Sequence, residues 1–242
     1  MATKTHWLWK LQLLWLALAL GAVSAFRLDL LSWRPALLGV AAAAAGLVLT
    51  GFCSLLVLFV VLRTGRGGGR PCLAAVALSL PPLIGIVLMG LQGAKAPPIH
   101  DITTDLDNPP PLTAARTLRG PGDNAVEYAG PTVADQQRRA YGDVTPLLVD
   151  LSPAEAFDRS LAVVQRLHWR LVAQDRDRGT IEALEQSLFF GFTDDIVIRI
   201  GARETGSRID LRSASRAGIS DLGSNVRRIR AFLQAFNASQ PK

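Results

Sequence analysis

The residues that could do chemistry gather in two stretches. The first is Ser213 to Asn225, polar and glycine-containing, which opens onto a segment of helical periodicity. A helix N-terminus offers unpaired N–H groups and the positive end of a dipole, and both suit an anion. Arg216 and Arg228 could supplement such a site. Arg227 and Arg228 fall in the early turns of that helix, where cations are disfavoured, and a nearby anion would remove the conflict. A plainer alternative stays open, in which Asp221 or Ser224 simply caps the helix. The candidate anion or partner surface therefore comprises Arg199, Arg212, Ser213, Ser215, Arg216, Asp221, Asn225 and Arg228.

The second stretch holds His100, Asp101, Thr104, Asp105 and Asp107, with Asp194 and Asp195 further along the chain. One His among carboxylates is at best a fragment of a metal site, and the Asp and Gly pattern of a calcium loop is missing. A loop whose Asp and Thr side chains bond to nearby backbone accounts for the same residues. Asp194 and Asp195 are adjacent, so in a strand they face opposite ways and make a poor acid/base dyad. A hydrolase would have to use His100 and Asp101 beside Asp195. No Gly-x-Ser-x-Gly elbow occurs and no Cys follows Cys72. No cofactor and no metal are expected, and the balance favours a binding or scaffold module over an enzyme.

These residues must be positioned by elements that the apolar pattern reveals. From residue 146 onward, Ser152-Pro153-Ala154-Glu155 fits a capping box with Pro at the first helical position. Phe157, Leu161, Val164 and Leu167 follow at helical spacing. Four strand-like runs come next, at about 168–174, 180–188, 195–201 and 207–214, joined by turns short enough for hairpins. A final helix over about 222–236 places Val226, Ile229, Phe232, Leu233 and Phe236 on one face. Short turns force antiparallel pairing. The expected fold is α+β: a four-stranded antiparallel sheet with helices on one face. Ile196, Ile198, Ile200, Ile209 and Leu211 should line that face. Asp195, Arg199, Arg208, Asp210 and Arg212 should line the other, either as a solvated face with weak ion pairs or as a charged recognition surface partly covered by residues 97–112. His168, at the helix–strand junction, reads as structural.

Residues 97–145 are Pro-rich and read as an extended strap or spacer, with a short helix over 133–141. Residues 1–96 differ in kind. They carry the apolar stretches 7–26, 36–62 and 72–91, each long enough to span a bilayer. The first could also be a cleaved signal peptide, since Val23-Ser24-Ala25 has the look of a small-residue cleavage site. Pro81 and Pro82 should kink or break the third helix. Gly39 with Ala43, and Ala42 with Gly46, give the small-xxx-small spacing of close helix packing. That spacing also keeps open an accessory subunit of a larger membrane complex. No Asp, Glu, Lys or Arg lies at the centre of these segments, which argues against a pump or channel.

Charge follows the same division. The chain of 242 residues is 49% hydrophobic and carries a formal charge of +6. Residues 1–96 are +7 and residues 97–242 are −1, so the basic excess is no nucleic-acid footprint. Lys4, Lys10, Arg63, Arg66 and Arg70 would share one side of the membrane, and Arg27, Arg34 and Lys95 the other. Five against three places the N-terminus in the cytoplasm. The expected address is a bacterial cytoplasmic (inner) membrane, multi-pass, with the C-terminal domain periplasmic or extracellular. The expected partners are the lipid bilayer and an anionic ligand, lipid headgroup or protein, with no nucleic acid.

Several motifs in order carry a family resemblance. Pro97-Pro98-Ile99-His100-Asp101-Ile102-Thr103-Thr104-Asp105 is followed by Asn108-Pro109-Pro110. Phe192-Thr193-Asp194-Asp195-Ile196-Val197-Ile198-Arg199 comes later. Asp210 to Gly218, Ser220 to Asn225 and Arg228-Ile229 complete the set. Together they resemble the domain of unknown function 1499 family over nearly all of residues 97–236. The resemblance implies a bacterial-type envelope protein or a plastid relative. It brings no established activity and no agreed catalytic residues.

Overall fold

The computed structural model describes residues 5–94 and 96–238. The chain divides into two compact units, an N-terminal helical one and a sheet domain that contains nearly all the rest.

The helical unit has α1 (His6–Arg27), α2 (Trp33–Thr64) and α3 (Gly69–Gly93). All three are long and apolar enough to cross a membrane. Many of their Leu, Val and Phe side chains point outward, among them Leu14, Phe52, Phe59 and Leu62. That is the pattern of a bundle solvated by lipid rather than water. Small residues let α1 and α2 approach. A Cβ on Gly46 would sit 2.3 Å from the Trp15 indole, and one on Gly39 would sit 3.1 Å from Ala22 Cβ. Gln12, fully buried, donates from Nε2 to the carbonyls of Leu47 and Ala75 and so ties α1 to both other helices. The expectation that Pro81 and Pro82 break the third helix is corrected: α3 runs through both. The helix tolerates the two missing N–H groups in mid-span.

The sheet domain contains β1 (Asp101–Thr103), α4 (Ala115–Leu118), α5 (Pro131–Ala140), β2 (Leu147–Val149) and α6 (Pro153–Arg166). β3 (Arg170–Asp175), β4 (Thr180–Gln186), β5 (Thr193–Ala202), β6 (Ser207–Ser215) and α7 (Ser224–Ala238) complete it. The sheet has six strands, not four, in the order β1-β6-β5-β4-β3, with β2 also on β6. Every pairing is antiparallel. β1 comes from the Pro-rich segment, β2 lies just beyond it, and both share the outer edge of β6. β1 pairs with residues 212–214 and β2 with residues 207–209. At three residues each they are too short to show an alternating pattern, and only pairing to β6 defines them. The segment read as a strap is therefore partly sheet.

The apolar core lies where alternation places it. Ile196, Ile198, Ile200, Ile209 and Leu211 pack with Phe157 and Val164 of α6 and with Ile229, Phe232 and Phe236 of α7. The α6 capping box forms: Ser152 Oγ accepts from the Glu155 N–H, and the Glu155 carboxylate accepts from the Ser152 N–H. His168 ends α6 in the left-handed region at φ 57°, and the Trp169 N–H reaches back to the Val164 carbonyl. Its role is indeed structural: it turns the chain so that Trp169 stacks on Phe232 at 6.0 Å.

Gly206 makes the β5–β6 hairpin possible. It sits at φ +81°, and a Cβ there would lie 2.0 Å from the Val149 carbonyl oxygen. Gly201, nearby in β5, faces open space. Gly206→Ala is therefore expected to destabilise the domain by more than about 1 kcal/mol, whereas Gly201→Ala stays within about 0.5 kcal/mol. Thermal unfolding of the full chain in mild detergent distinguishes the two.

Candidate functional site

The polar face of the sheet is not solvated. Residues 104–128 cross it, and carboxylates, guanidinium groups and a small apolar cluster of Leu112, Ala115, Val197 and Ala214 fill the space between. At the centre, Arg212 on β6 grips Asp101 on β1 through Nε and Nη2 at 3.0 and 2.7 Å. Asp101 is paired with Ala214 in the register, so it is a diagonal neighbour of Arg212 on the same face. Two more guanidinium N–H groups donate to the Pro110 and Val126 carbonyls. The ring of Tyr128 lies 5.5 Å from the guanidinium carbon. Burial, and then the charge of Asp101, push the Tyr128 phenol up to about 12. It stays protonated at any ordinary pH.

Two further clusters flank this pair. Asp195 on β5 takes a bidentate bond from Arg216 and a third from Arg119 of the strap at 2.8 Å. Arg119 also donates to the carbonyls of Asn124, Ala125 and Ala214. On the other side Arg199 and Arg208 share the carboxylates of Asp105 and Asp210. Arg199 faces Asp210 directly across the ladder. Glu182 on β4 accepts from the N–H groups of Thr113 and Ala114 and so anchors the start of α4.

The helix face carries its own polar cluster. Arg228 of α7 bonds Asp194 at 2.7 Å and Glu185 at 2.6 Å. Asn225 uses all its capacity: Oδ1 accepts from Ser213 and Arg228, and Nδ2 donates to Ser215 Oγ and to the His100 carbonyl. Asp221 caps α7 by accepting from the N–H groups of Gly223 and Asn225. Burial, chiefly, raises its pKa above the ordinary carboxylate value. The anions beside Arg228 are thus supplied by the chain itself, as Asp194 and Glu185, while Arg227 bonds the Leu222 carbonyl and the Ser224 hydroxyl. Asp194 and Asp195 do face opposite ways, each to its own arginine.

The structure thereby separates the residues named from sequence. Arg199, Arg212 and Arg216 lie under the strap, whereas Ser213 and Ser215 on β6 meet Asn225 and Arg228 of α7, with Asp221 at that helix's start. Ser213 and Asn225 are 0% exposed and Arg212 is 2% exposed. Thr104 extends the β1 edge, trading hydrogen bonds with the backbone of Leu211. Asp105 belongs to the Arg199 cluster. Arg119, Glu182 and Gln137 were missed. Gln137 of α5 uses its amide to mimic a neighbouring strand, bonding both backbone groups of Thr103. Glu182 was within reach of sequence reasoning, since alternation puts it on the same face as Asp195 and Arg199.

His100 stands apart. Its Nδ1 is buried and has no hydrogen-bond partner among the described residues. It borders a cavity of about 270 Å³ lined also by Ile99, Asn124, Glu127, Val133 and Ile219. Neither Asp101 nor Asp195 orients the ring, since their oxygens are committed to arginines. Among the described residues no group of three or more His, Cys, Asp or Glu side chains is arranged to hold a metal ion.

One family model matches residues 101–236, more than half of the chain: Protein of unknown function (DUF1499). The chain belongs to the DUF1499 family. No curated protein matches it. The family match covers the ion-paired face, the α7 cluster and all but the first strap residues, while α1 to α3 lie outside it. Within the DUF1499 domain the arrangement can hold a strap in one register, and His100, one residue before the matched span, borders the cavity.

The central pair gives a direct test. Removing one partner leaves a buried charge uncompensated, so Arg212→Met or Asp101→Leu should each destabilise the full chain by about 3–5 kcal/mol. Replacing both should cost markedly less than the sum of the two. Denaturant midpoints of the three variants in mild detergent provide the measurement.

Proposed function

We propose that the chain is a membrane-anchored binding module in which the sheet domain takes a small ligand at the His100 cavity. The observation that carries this reading is the buried, unpartnered Nδ1 of His100 beside a cavity of about 270 Å³. Buried polar atoms are nearly always satisfied, so an exception at a cavity wall points to a group that arrives from outside. The walls join apolar Ile99, Val133 and Ile219 to polar Asn124 and Glu127. Such a lining suits a small amphiphile with one hydrogen-bonding group. In this reading the arginines and serines first considered as an anion or partner surface are positioning residues. They hold the strap segment that forms one cavity wall, since Asn124 bonds the Arg216, Ser215 and Gly218 backbone. An anion would have to displace carboxylates from these arginines, so a direct anion contact is the less supported use of them.

The native mass spectrum of the full chain, released from mild detergent, should show a small-molecule adduct. Ala125→Trp, which fills the cavity, and His100→Phe, which removes the ring nitrogens, should each abolish it without lowering the unfolding temperature. A wild-type chain without an adduct, or an adduct that survives Ala125→Trp, would overturn the reading.

The setting we infer is a bacterial cytoplasmic membrane with the sheet domain on the outer side. Support comes from the excess of Lys and Arg on one side of the helices, five against three. Alkaline phosphatase fused after Lys242 should be active in bacterial cells, and a fluorescent protein that matures only in the cytoplasm should stay dark there. The reverse pattern would place the domain inside.

A further inference from the structure

The two ends of the sheet are built from different residues. At one end the β3–β4 and β5–β6 turns carry Arg176, Asp177, Arg178, Arg203 and Glu204. That is ordinary turn chemistry, charged and wet. At the other end the β4–β5 hairpin is closed by bonds between Ser187 and Phe192, and its tip is Leu188-Phe189-Phe190. Leu188 is 94% exposed and Phe189 62%. Ile219, in the loop that follows β6 at this same end, is 78% exposed. Turn tips favour Gly, Asn, Asp, Pro and Ser, so three consecutive large apolar residues there call for a reason. Clustered exposed apolar side chains at one end of a fold mark a protein or membrane contact.

Chain connectivity decides between those. The apolar end is the end at which the chain enters the domain. β1 begins at Asp101, opposite Ala214 near the end of β6. The Ile219 loop is bonded to the entering chain: Ser220 Oγ donates to the Pro97 carbonyl and the Asp221 N–H to the Ile99 carbonyl. Pro97 follows the last residue of α3, Gly93, by four positions. Four residues span at most about 14 Å even when fully extended. The chain thus enters the domain at the end that carries the Ile219 loop. The charged end lies a full β5 strand away, about 30 Å for its ten residues.

We propose that this end of the sheet domain rests on the lipid bilayer, with Leu188, Phe189 and Ile219 inserted at the interface. The partner is the membrane itself, met through apolar side chains and not through headgroup charge. The inference uses the membrane reading of α1 to α3; it shares Ile219 with the His100 cavity but does not need a ligand there.

The test uses the full chain, with Cys53→Ser and Cys72→Ala, reconstituted in phosphatidylcholine vesicles. Nitroxide labels are placed singly at Leu188→Cys, Ile219→Cys and, as the control, Glu204→Cys. Power saturation should give labels at 188 and 219 a higher accessibility to oxygen than to an aqueous nickel complex, with the order reversed at 204. Adding Leu188→Glu to the Ile219→Cys chain should shift that label toward nickel. Labels at 188 and 219 that match 204 in chains resistant to carbonate extraction would overturn this proposal alone. Chains that carbonate extracts would overturn the membrane anchor and this proposal with it.

Discussion

A guanidinium in a protein interior has five N–H groups to satisfy and a charge to balance, and everything within reach must be arranged accordingly. Arg212 imposes that constraint on this domain. Asp101 matches its charge and takes two N–H groups, and the carbonyls of Pro110 and Val126 take two more. These acceptors come from three places in a segment of Pro-rich chain with little regular structure of its own. Their positions follow from the arginine. Once they are placed, the strap is laid across the sheet, β1 is in register on β6, and Arg119 is delivered to Asp195.

Such a layer contributes little to stability compared with its burial. The desolvation of paired charges roughly cancels their attraction, and an apolar layer of similar volume would often hold as well or better. The apolar face does the stabilising, through Ile196, Ile198, Leu211, Phe232 and their neighbours. What the ionic layer adds is a steep penalty for misplacement. A strap shifted by two residues would leave Arg212 buried without Asp101 and take Arg119 away from Asp195, at a cost comparable to a large share of a domain's total stability. For a segment that lacks long strands or helices, that penalty supplies the register which an alternating pattern would otherwise set.

Legibility in the sequence divides along the same line. What is written locally was readable: the capping box at Ser152, the apolar stripe of α7, the alternation that sorts Ile196 from Asp195, and the three long apolar segments. What depends on distant partners was not. β1 and β2 are strands only because β6 has a free edge, and Gln137 reads as a polar surface residue until Thr103 is beside it. Arg228, in the early turns of α7, looks unstable in isolation and is stable because Asp194 and Glu185 arrive from β5 and β4. One coarse signal did anticipate the pairing: residues 97–150 hold eight acids against four Arg, whereas residues 199–242 hold nine basic residues against three acids. Taken as a surface patch, that imbalance suggests a ligand. Taken as two halves that fold on each other, it describes the ionic layer.

The internal charge balance limits how the domain could recognise a partner. Its formal charge is −1, and the core arginines meet their carboxylates inside the fold. Little field is left to reach beyond a screening length of about 8 Å at physiological salt. Long-range attraction of a charged partner is therefore a poor basis for specificity here. In the proposed reading recognition falls to short-range features: the cavity bordered by His100, and a sheet end whose turn is apolar. Both lie at the same end of β6, because the cavity shares Ile219 with the exposed loop and His100 immediately precedes β1. The ionic layer makes this coincidence possible. By consuming the charges within the domain, it leaves that end free to be built from side chains that water does not favour.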